Sequence, residues 1–190
     1  LIEAGAKRAA ISFVNNVANA GHAHPRCFEW LASHCLEDGD LQAALAWQQA
    51  YFMEIPQVKS FTMLGKIARE VGNWDEIRSA VLTELERKGN TAPLIDIALH
   101  ERNVDRALQL LPMHCKGWSD YRERVARAAE KKRPREAIAL YESLVRDSVD
   151  RRDRKGYAQA AHLLQKMRAV FELAGRKEDW PGYLAAFSAL

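Results

Sequence analysis

Three histidines and two cysteines lie within fifteen residues near the start of the chain, in the segment GHAHPRCFEWLASHC. Histidine nitrogen and cysteine sulfur are the usual zinc ligands, so this segment is the first candidate for chemistry. If Pro25 begins a helix, Cys27 and Cys35 are separated by about 12 Å along its axis, whereas two thiolates on one zinc ion lie within about 4 Å of each other. We therefore interpret Cys35 as a packing residue and predict no metal site from this cysteine pair. The question stays open only for His22, His24 and Cys27.

Other catalytic or cofactor-binding motifs are absent from the sequence. It has no phosphate-binding glycine loop and no His-Glu-x-x-His motif. The "MHC" segment at residues 113–115 has one cysteine with no fixed histidine partner, which gives little support for a nucleophile. His34 is expected to point into solvent. We therefore expect a protein that is not an enzyme and needs no cofactor.

The 190-residue chain is 48% hydrophobic and 28% charged, which is typical of a folded, soluble protein. Its longest uncharged run, residues 9–25, contains three asparagines and predicts an amphipathic helix and a turn rather than a membrane span. Three cysteines suggest reduced thiols, so we expect a cytoplasmic location and no membrane partner. The chain begins without methionine, and we expect it to be part of a longer protein.

Helical spacing of apolar residues runs through the whole chain, and strand patterns are nearly absent. The pattern predicts an all-α fold of about ten or eleven helices joined by short turns. The predicted helices include residues 2–17, 58–71, 75–88, 119–129, 135–147 and 157–173. Short connections of this kind favour antiparallel neighbours.

Two helix pairs have the same pattern around Gly39 and Gly72, which are 33 residues apart. The first helices of the pairs align an aromatic residue, a leucine, a small residue and an apolar residue: Phe28, Leu31, Ala32 and Cys35 in one, Phe61, Leu64, Gly65 and Ala68 in the other. The small positions predict a close approach of paired helices.

This pattern resembles the tetratricopeptide repeat, although Gln48 and Val81 stand where that repeat has an aromatic residue. The resemblance implies a right-handed α-solenoid of antiparallel helix pairs over residues 1–190. An N-terminal helix and turn would occupy residues 1–24, the clearest repeats 25–56 and 57–89, and degenerate repeats 90–190. Such an array is typical of a protein-interaction scaffold.

A second resemblance covers roughly residues 60–190. The order of "LGKIAREVGNWDEIR", "AEKKRPREAIALYESLVRD" and "RRDRKGYAQAAHLLQKMRAVFELAGRKEDWPGYLAAF" is similar to the C-terminal helical region of bacterial SWIM zinc-finger proteins. The zinc motif of that family, which contains Cys-x-Cys, is absent from this chain. The resemblance therefore implies a context within a larger protein and no metal site.

The tetratricopeptide resemblance implies a concave surface lined by outward residues of the first helix in each pair. In this chain those residues include Lys59, Thr62, Lys66, Arg69 and Arg26. A basic stripe of this kind would suit an acidic peptide or protein partner. We therefore predict a partner-binding site at these five residues, with a solvated helix face as the alternative interpretation.

A nucleic-acid interface is the alternative function. The net charge is −3 for residues 1–100 and +6 for residues 101–190, and the second half contains the basic run Lys131, Lys132 and Arg133. Interleaved aspartates in the neighbouring run 146–157 weaken this interpretation. Tyr157 and Trp180 are expected to pack between helices rather than to stack on bases.

Overall fold

A computed structural model of the protein describes residue 9 and residues 11–14, 16–17, 24–111 and 117–188. Within these ranges all regular secondary structure is helical and no β-strand occurs, which confirms the all-α prediction for them. From Pro25 onward the helices are α1 Pro25–Glu37, α2 Leu41–Glu54, α3 Val58–Val71, α4 Trp74–Arg87, α5 Thr91–His100, α6 Val104–Leu110, α7 Ser119–Ala129, α8 Pro134–Asp150, α9 Arg154–Leu173, a 3₁₀ helix Lys177–Asp179, and α10 Trp180–Ser188.

The helix bounds follow the sequence pattern closely, and α3 and α7 have the predicted bounds. Helices α8 and α9 are longer than predicted, since α8 also includes Pro134 and residues 148–150, and α9 also includes residues 154–156. Helix α9 begins at Arg154 and not at 157, since the side chain of Asp153 accepts a hydrogen bond from the Gly156 amide and caps the helix.

The helices pack within two compact units, Leu1–Ile97 and Ala98–Leu190. In the first unit α1 packs on α2, α2 packs on α3, and α4 contacts both α2 and α3. In the second unit α6 packs on α7, α7 on α8, and α8 on α9, while the 3₁₀ helix contacts α9 and α10. Most of these contacts join consecutive helices, as the short connections predict.

The turns after α1 and α3 explain the repeated glycines. Gly39 and Gly72 have φ angles of +77° and +88°, in the left-handed region that favours glycine. After the first turn, Asp40 Oδ1 accepts a hydrogen bond of 3.0 Å from the Ala43 amide and caps α2. The 33-residue spacing therefore corresponds to two left-handed glycine turns, each between a pair of helices.

Aromatic rings form the centre of the first unit. Phe52 and Phe61 have ring centroids 5.7 Å apart, and Trp74 lies 5.2 Å from Phe61 in an edge contact. A Cβ atom at Gly65 would lie only 3.1 Å from Cη2 of Trp74, so the small residue allows the tryptophan ring to approach α3. The predicted close approach at Gly65 is therefore made to the first residue of α4.

A buried polar residue in the middle of α2, Gln48, is accommodated by a hydrogen bond. Gln48 is 4% exposed, and its Nε2 donates to the carbonyl oxygen of Ser60 over 3.1 Å. The neighbouring Trp47 stacks on Phe28 with ring centroids 6.0 Å apart. The middle of α2 thus combines a satisfied buried amide with an aromatic contact at the neighbouring residue.

In the second unit α8 and α9 approach closely at Gly156. A Cβ atom there would lie 2.3 Å from the carbonyl oxygen of Ser148. Because Gly156 faces α8, Tyr157 one residue later points outward and is 54% exposed, so the expectation that it packs between helices is wrong. Trp180 does pack between helices, with its ring 5.5 Å from Phe171.

Candidate functional site

A groove of about 390 Å³ opens on the first unit between α1, α2 and α3. We call it the α1–α3 groove. Its lining comes from α1, from α2, and from α3 with its N-cap residue: Glu29, Ala32, Ser33, Leu36, Gln48, Tyr51, Gln57, Lys59, Ser60, Thr62, Met63 and Lys66. A groove of this size can take one or two side chains of a bound segment.

Apolar side chains from α1 and α3 form the wall of the groove. Ala32 is buried and Leu36 is half-buried on α1, and Met63 on α3 is 43% exposed. An exposed methionine beside a leucine offers an adaptable apolar contact surface. The α1–α3 groove is thus suited to an apolar side chain of a partner.

Two lysines flank this apolar wall on α3. Lys59 and Lys66 are exposed and line the groove, and neither ammonium has an ion-pair partner among the residues that the structure describes. Thr62 lies between them, and its Oγ1 donates to the carbonyl oxygen of Val58 over 2.8 Å. The structure therefore brings Lys59, Thr62 and Lys66 together on one wall.

Glu29 is the carboxylate of the groove, and it lies close to Tyr51. Burial raises the pKa of Tyr51, with Glu29 adding to the shift and the charge of Arg26 opposing it. Tyr51 therefore stays protonated at neutral pH and remains a donor. The charged residues that line the groove are Glu29, Lys59 and Lys66, so the positive charge exceeds the negative charge by one.

Hydrogen bonds on the inner side of α3 hold the groove in shape. Ser60 Oγ donates to the carbonyl oxygen of Ile55 over 2.7 Å and accepts from the amide of Gln57 over 3.2 Å. Together with the bond from Gln48 to Ser60, these contacts tie the start of α3 to the end of α2. The lysines at the rim thus project from a helix whose N-terminus is fixed.

Arg69 and Arg26 do not line the α1–α3 groove. The guanidinium of Arg69 lies over the ring of Trp74, 4.8 Å from its centroid, because Gly65 leaves room for both side chains. Arg26 is exposed on the first turn of α1, near Tyr51 and Glu29. Of the five predicted residues, three line the groove, one adds to its field, and one is used in packing.

The sequence-based prediction missed Leu36, Tyr51 and Met63 as lining residues. Met63 lies at i+4 from Lys59 and i−3 from Lys66, so an apolar residue within a polar stripe was the available signal. Tyr51 gives no comparable signal, because it lies on α2 and reaches the groove only through the packing of α1 against α2.

The described part of the histidine and cysteine segment, residues 24–35, holds no metal cluster. His24 uses Nδ1 to accept a hydrogen bond of 3.2 Å from the Arg26 amide and so caps α1, while His22 lies outside the described residues. Among the residues that the structure describes, no group of three potential ligands is close enough to hold a metal ion. Cys27 and Cys35 are free, and burial raises the pKa of the Cys35 thiol, with Asp40 and Asp38 adding to the shift.

His34 differs from its prediction. Its side chain is only 15% exposed and its ring packs edge-on against Trp30, with centroids 4.4 Å apart. Nδ1 lies 3.1 Å from a carboxylate oxygen of Glu37. The expectation of a solvated histidine is wrong, because Trp30 one turn earlier covers the ring.

The basic run of the nucleic-acid alternative lies in the turn between α7 and α8. Arg133 Nε donates to Asp105 Oδ1 over 2.7 Å, and this contact holds the pKa of Asp105 below its usual value. Lys131 and Lys132 are exposed. All three cations are thus exposed, and Arg133, at the start of α8, also pairs with Asp105 of α6.

Within the described ranges, no helix has the length and apolar character needed to cross a membrane. The chain matches no family model, no curated protein and no solved structure.

Proposed function

We propose that the protein is a non-catalytic interaction scaffold whose α1–α3 groove binds an acidic segment of a partner protein. The observation that carries this proposal is an apolar groove flanked by Lys59 and Lys66, which have no ion-pair partner in the described part of the chain. We further propose that the helix pairs form a tetratricopeptide-like right-handed solenoid, within a larger bacterial protein related to the SWIM zinc-finger group.

Binding would use both an apolar contact and charged contacts. An apolar side chain of the partner inserts beside Leu36 and Met63, where burial of a leucine-sized side chain contributes about 1.5–3 kcal/mol. Carboxylates on either side of it meet Lys59 and Lys66, and such exposed pairs contribute about 0.2–1 kcal/mol each. The apolar contact supplies most of the affinity, while the lysines set orientation and the rate of association.

Synthetic peptides test this proposal directly. The set comprises peptides with one leucine flanked by glutamates, the same peptides with lysines in place of the glutamates, and versions with serine in place of leucine. We expect the first kind to bind most tightly in fluorescence anisotropy, with affinity that falls as salt is added. Equal binding of the lysine peptides would refute the assignment of an acidic partner.

A charge-reversal variant tests whether the acidic peptide binds in the groove. Lys59→Glu with Lys66→Glu is expected to lower the affinity for the acidic peptide at least about tenfold. Lys131→Glu with Lys132→Glu makes the same change in net charge in the other unit and should leave peptide binding unchanged. If both double variants lose affinity equally, binding is a general charge effect and the groove proposal fails.

The same control variant addresses the nucleic-acid alternative. If the run Lys131, Lys132 and Arg133 contacts phosphates, the unmodified protein should retard a duplex or single-stranded oligonucleotide in a salt-dependent way, and the Lys131→Glu, Lys132→Glu variant should not. Absence of any retardation at low salt would remove this alternative.

A further inference from the structure

A second cavity, of about 400 Å³, lies in the Ala98–Leu190 unit where the N-terminus of α7 meets the C-terminal part of α8 and the second turn of α9. We call it the Arg122 cavity. Its polar lining includes Ser119, Arg122, Asp147, Asp150, Arg151 and Gln159. These residues do not belong to the α1–α3 groove, and the proposed peptide binding does not use them.

The buried arginine of this cavity has an unused donor. Arg122 is 4% exposed, and its two terminal nitrogens donate to Ser143 Oγ and Asp147 Oδ2. Its third nitrogen, Nε, is buried and has no hydrogen-bond partner among the described residues. A buried cation with an unpaired N–H is unfavourable, so a ligand that brings an acceptor to it would be stabilised.

The first turn of α7 supplies donors of the same kind. Its N-cap residue, Trp118, makes no side-chain cap hydrogen bond, so the first amides of the helix lack the usual side-chain acceptor. Gly117, just before the helix, and Ser119, its first residue, line the cavity. A helix N-terminus favours an anionic group, so it acts in the same direction as Arg122.

The total charge of the lining limits which anion fits. Arg122 and Arg151 are balanced by Asp147 and Asp150, all four of which line the cavity. A dianion such as phosphate would be opposed by both aspartates. A single carboxylate is opposed less, because Asp147 is already paired with Arg122.

Asp150 is the carboxylate of the cavity that is available to a ligand. Among the described residues it has no ion-pair partner, whereas Arg151 Nη1 donates to Gln159 over 3.1 Å and Nη2 lies 3.7 Å from Asp153. A positively charged group on the ligand would therefore find Asp150 available. The cavity thus presents free donors on the side of α7 and a free carboxylate at the C-terminal end of α8.

We propose that the Arg122 cavity binds a small zwitterion of the α-amino-acid class. The ligand carboxylate accepts hydrogen bonds from Arg122 Nε and from the first amides of α7, and the ligand ammonium pairs with Asp150. This arrangement satisfies the orphan donor and leaves the net charge of the cavity unchanged. A cavity of this volume holds a ligand of that size together with water.

Thermal unfolding of the full chain in the presence of single compounds tests the proposal. The probes are the common L-amino acids, with acetate and inorganic phosphate as comparison anions at the same concentration. We expect at least one amino acid to raise Tm by about 3 °C at ten times its Kd, and acetate and phosphate to have a smaller effect. A response to phosphate alone, or no response to any amino acid, would overturn the proposal.

Variants then locate the binding by titration calorimetry. Asp150→Asn should weaken amino-acid binding at least about tenfold, since an exposed carboxylate is removed without disturbing the fold. Glu178→Gln, the same change of charge at another exposed residue, should bind as the unmodified protein does. Amino-acid binding that survives Asp150→Asn unchanged would show that the ligand lies elsewhere.

A change at Arg122 gives an independent measurement. Arg122→Lys keeps the charge but removes Nε, and we expect binding to fall while circular dichroism remains helical. If that variant does not fold, the test of the proposal rests on the result for Asp150→Asn. A folded Arg122→Lys variant that binds as tightly as before would refute the role of Nε.

Discussion

The side-chain amide of Gln48 donates a hydrogen bond of 3.1 Å to the carbonyl oxygen of Ser60. Both residues are buried, and the bond joins the middle of α2 to the first turn of α3 beneath the α1–α3 groove. The glutamine thus adds a polar contact between these two helices to the ring contact of Phe52 with Phe61. This pair is one of the contacts that join α2 to the helix carrying Lys59 and Lys66.

Replacing Gln48 should therefore destabilise the protein. We expect Gln48→Ala to lower the free energy of unfolding by about 1–3 kcal/mol, because a buried amide bond is lost and a small cavity is left. Urea denaturation followed by circular dichroism measures this change. Gln42→Ala, on the exposed face of the same helix, should alter stability by less than about 0.5 kcal/mol. Equal effects of the two changes would show that the bond to Ser60 is unimportant.

Gly156 should tolerate no side chain. A Cβ atom there would lie 2.3 Å from the backbone carbonyl oxygen of Ser148, which cannot move without shifting the end of α8. We expect Gly156→Ala to destabilise by at least about 2 kcal/mol, measured as a fall in Tm. Gly182→Ala is the control, since nothing lies within 4 Å of a Cβ atom at that helical glycine. That control is expected to be neutral or stabilising.

The ion pair between Lys166 and Glu123 should make stability depend on pH. Lys166 Nζ lies 2.6 Å from Glu123 Oε1, and this contact holds the pKa of Glu123 below its ordinary value of 4.5. Because the pKa is lowered on folding, the stabilisation is present above pH 4.5 and is lost as the pH falls through the folded-state value.

The measurement for this pair compares the unmodified protein with Glu123→Gln between roughly pH 3 and pH 7. We expect Glu123→Gln to lower the free energy of unfolding by about 1 kcal/mol at neutral pH. The difference in free energy between the two proteins should decrease as the pH becomes acidic. Glu70→Gln, at an exposed position of α3, should show no such trend. A difference in free energy that stays constant over this pH range would contradict the assigned role of the ion pair.

Met63 should affect binding without affecting folding. It is 43% exposed in the groove, so Met63→Ser removes little buried surface from the free protein. We expect the affinity for the leucine-containing acidic peptide to fall about tenfold, because the apolar contact is lost, with Tm changed by no more than about 2 °C. Val149→Ser is a matched control at 41% exposure outside the groove, and it should bind the peptide normally.

Substitution of Arg69 should have the opposite effect: it should lower stability and leave peptide binding nearly unchanged. Its guanidinium lies over the Trp74 ring, so Arg69→Ala is expected to leave peptide affinity within about twofold of normal and to lower stability by about 0.5–1 kcal/mol. Tryptophan fluorescence during unfolding reports the loss of the contact. A large fall in peptide affinity would show instead that Arg69 turns toward the partner when the partner binds.

The amino-acid sequence by itself determined the helices and their turns. The bounds of α3 and α7, the left-handed glycines at Gly39 and Gly72, and the cap at Asp40 all follow from local interactions within a few residues. Periodicity also identified Lys59, Thr62 and Lys66 as outward residues of one helix, since the face of a helix depends only on residue spacing.

The tertiary structure decided which of these outward residues share a site. Arg69 belongs to the same sequence stripe as Lys66, but the packing of α4 on α3 brings Trp74 under its guanidinium. Tyr51 enters the groove from α2, and Arg122 meets Asp147 across α7 and α8. These contacts join residues far apart in the chain, and they depend on how helices rotate and approach one another, which the 3.6-residue period alone does not specify.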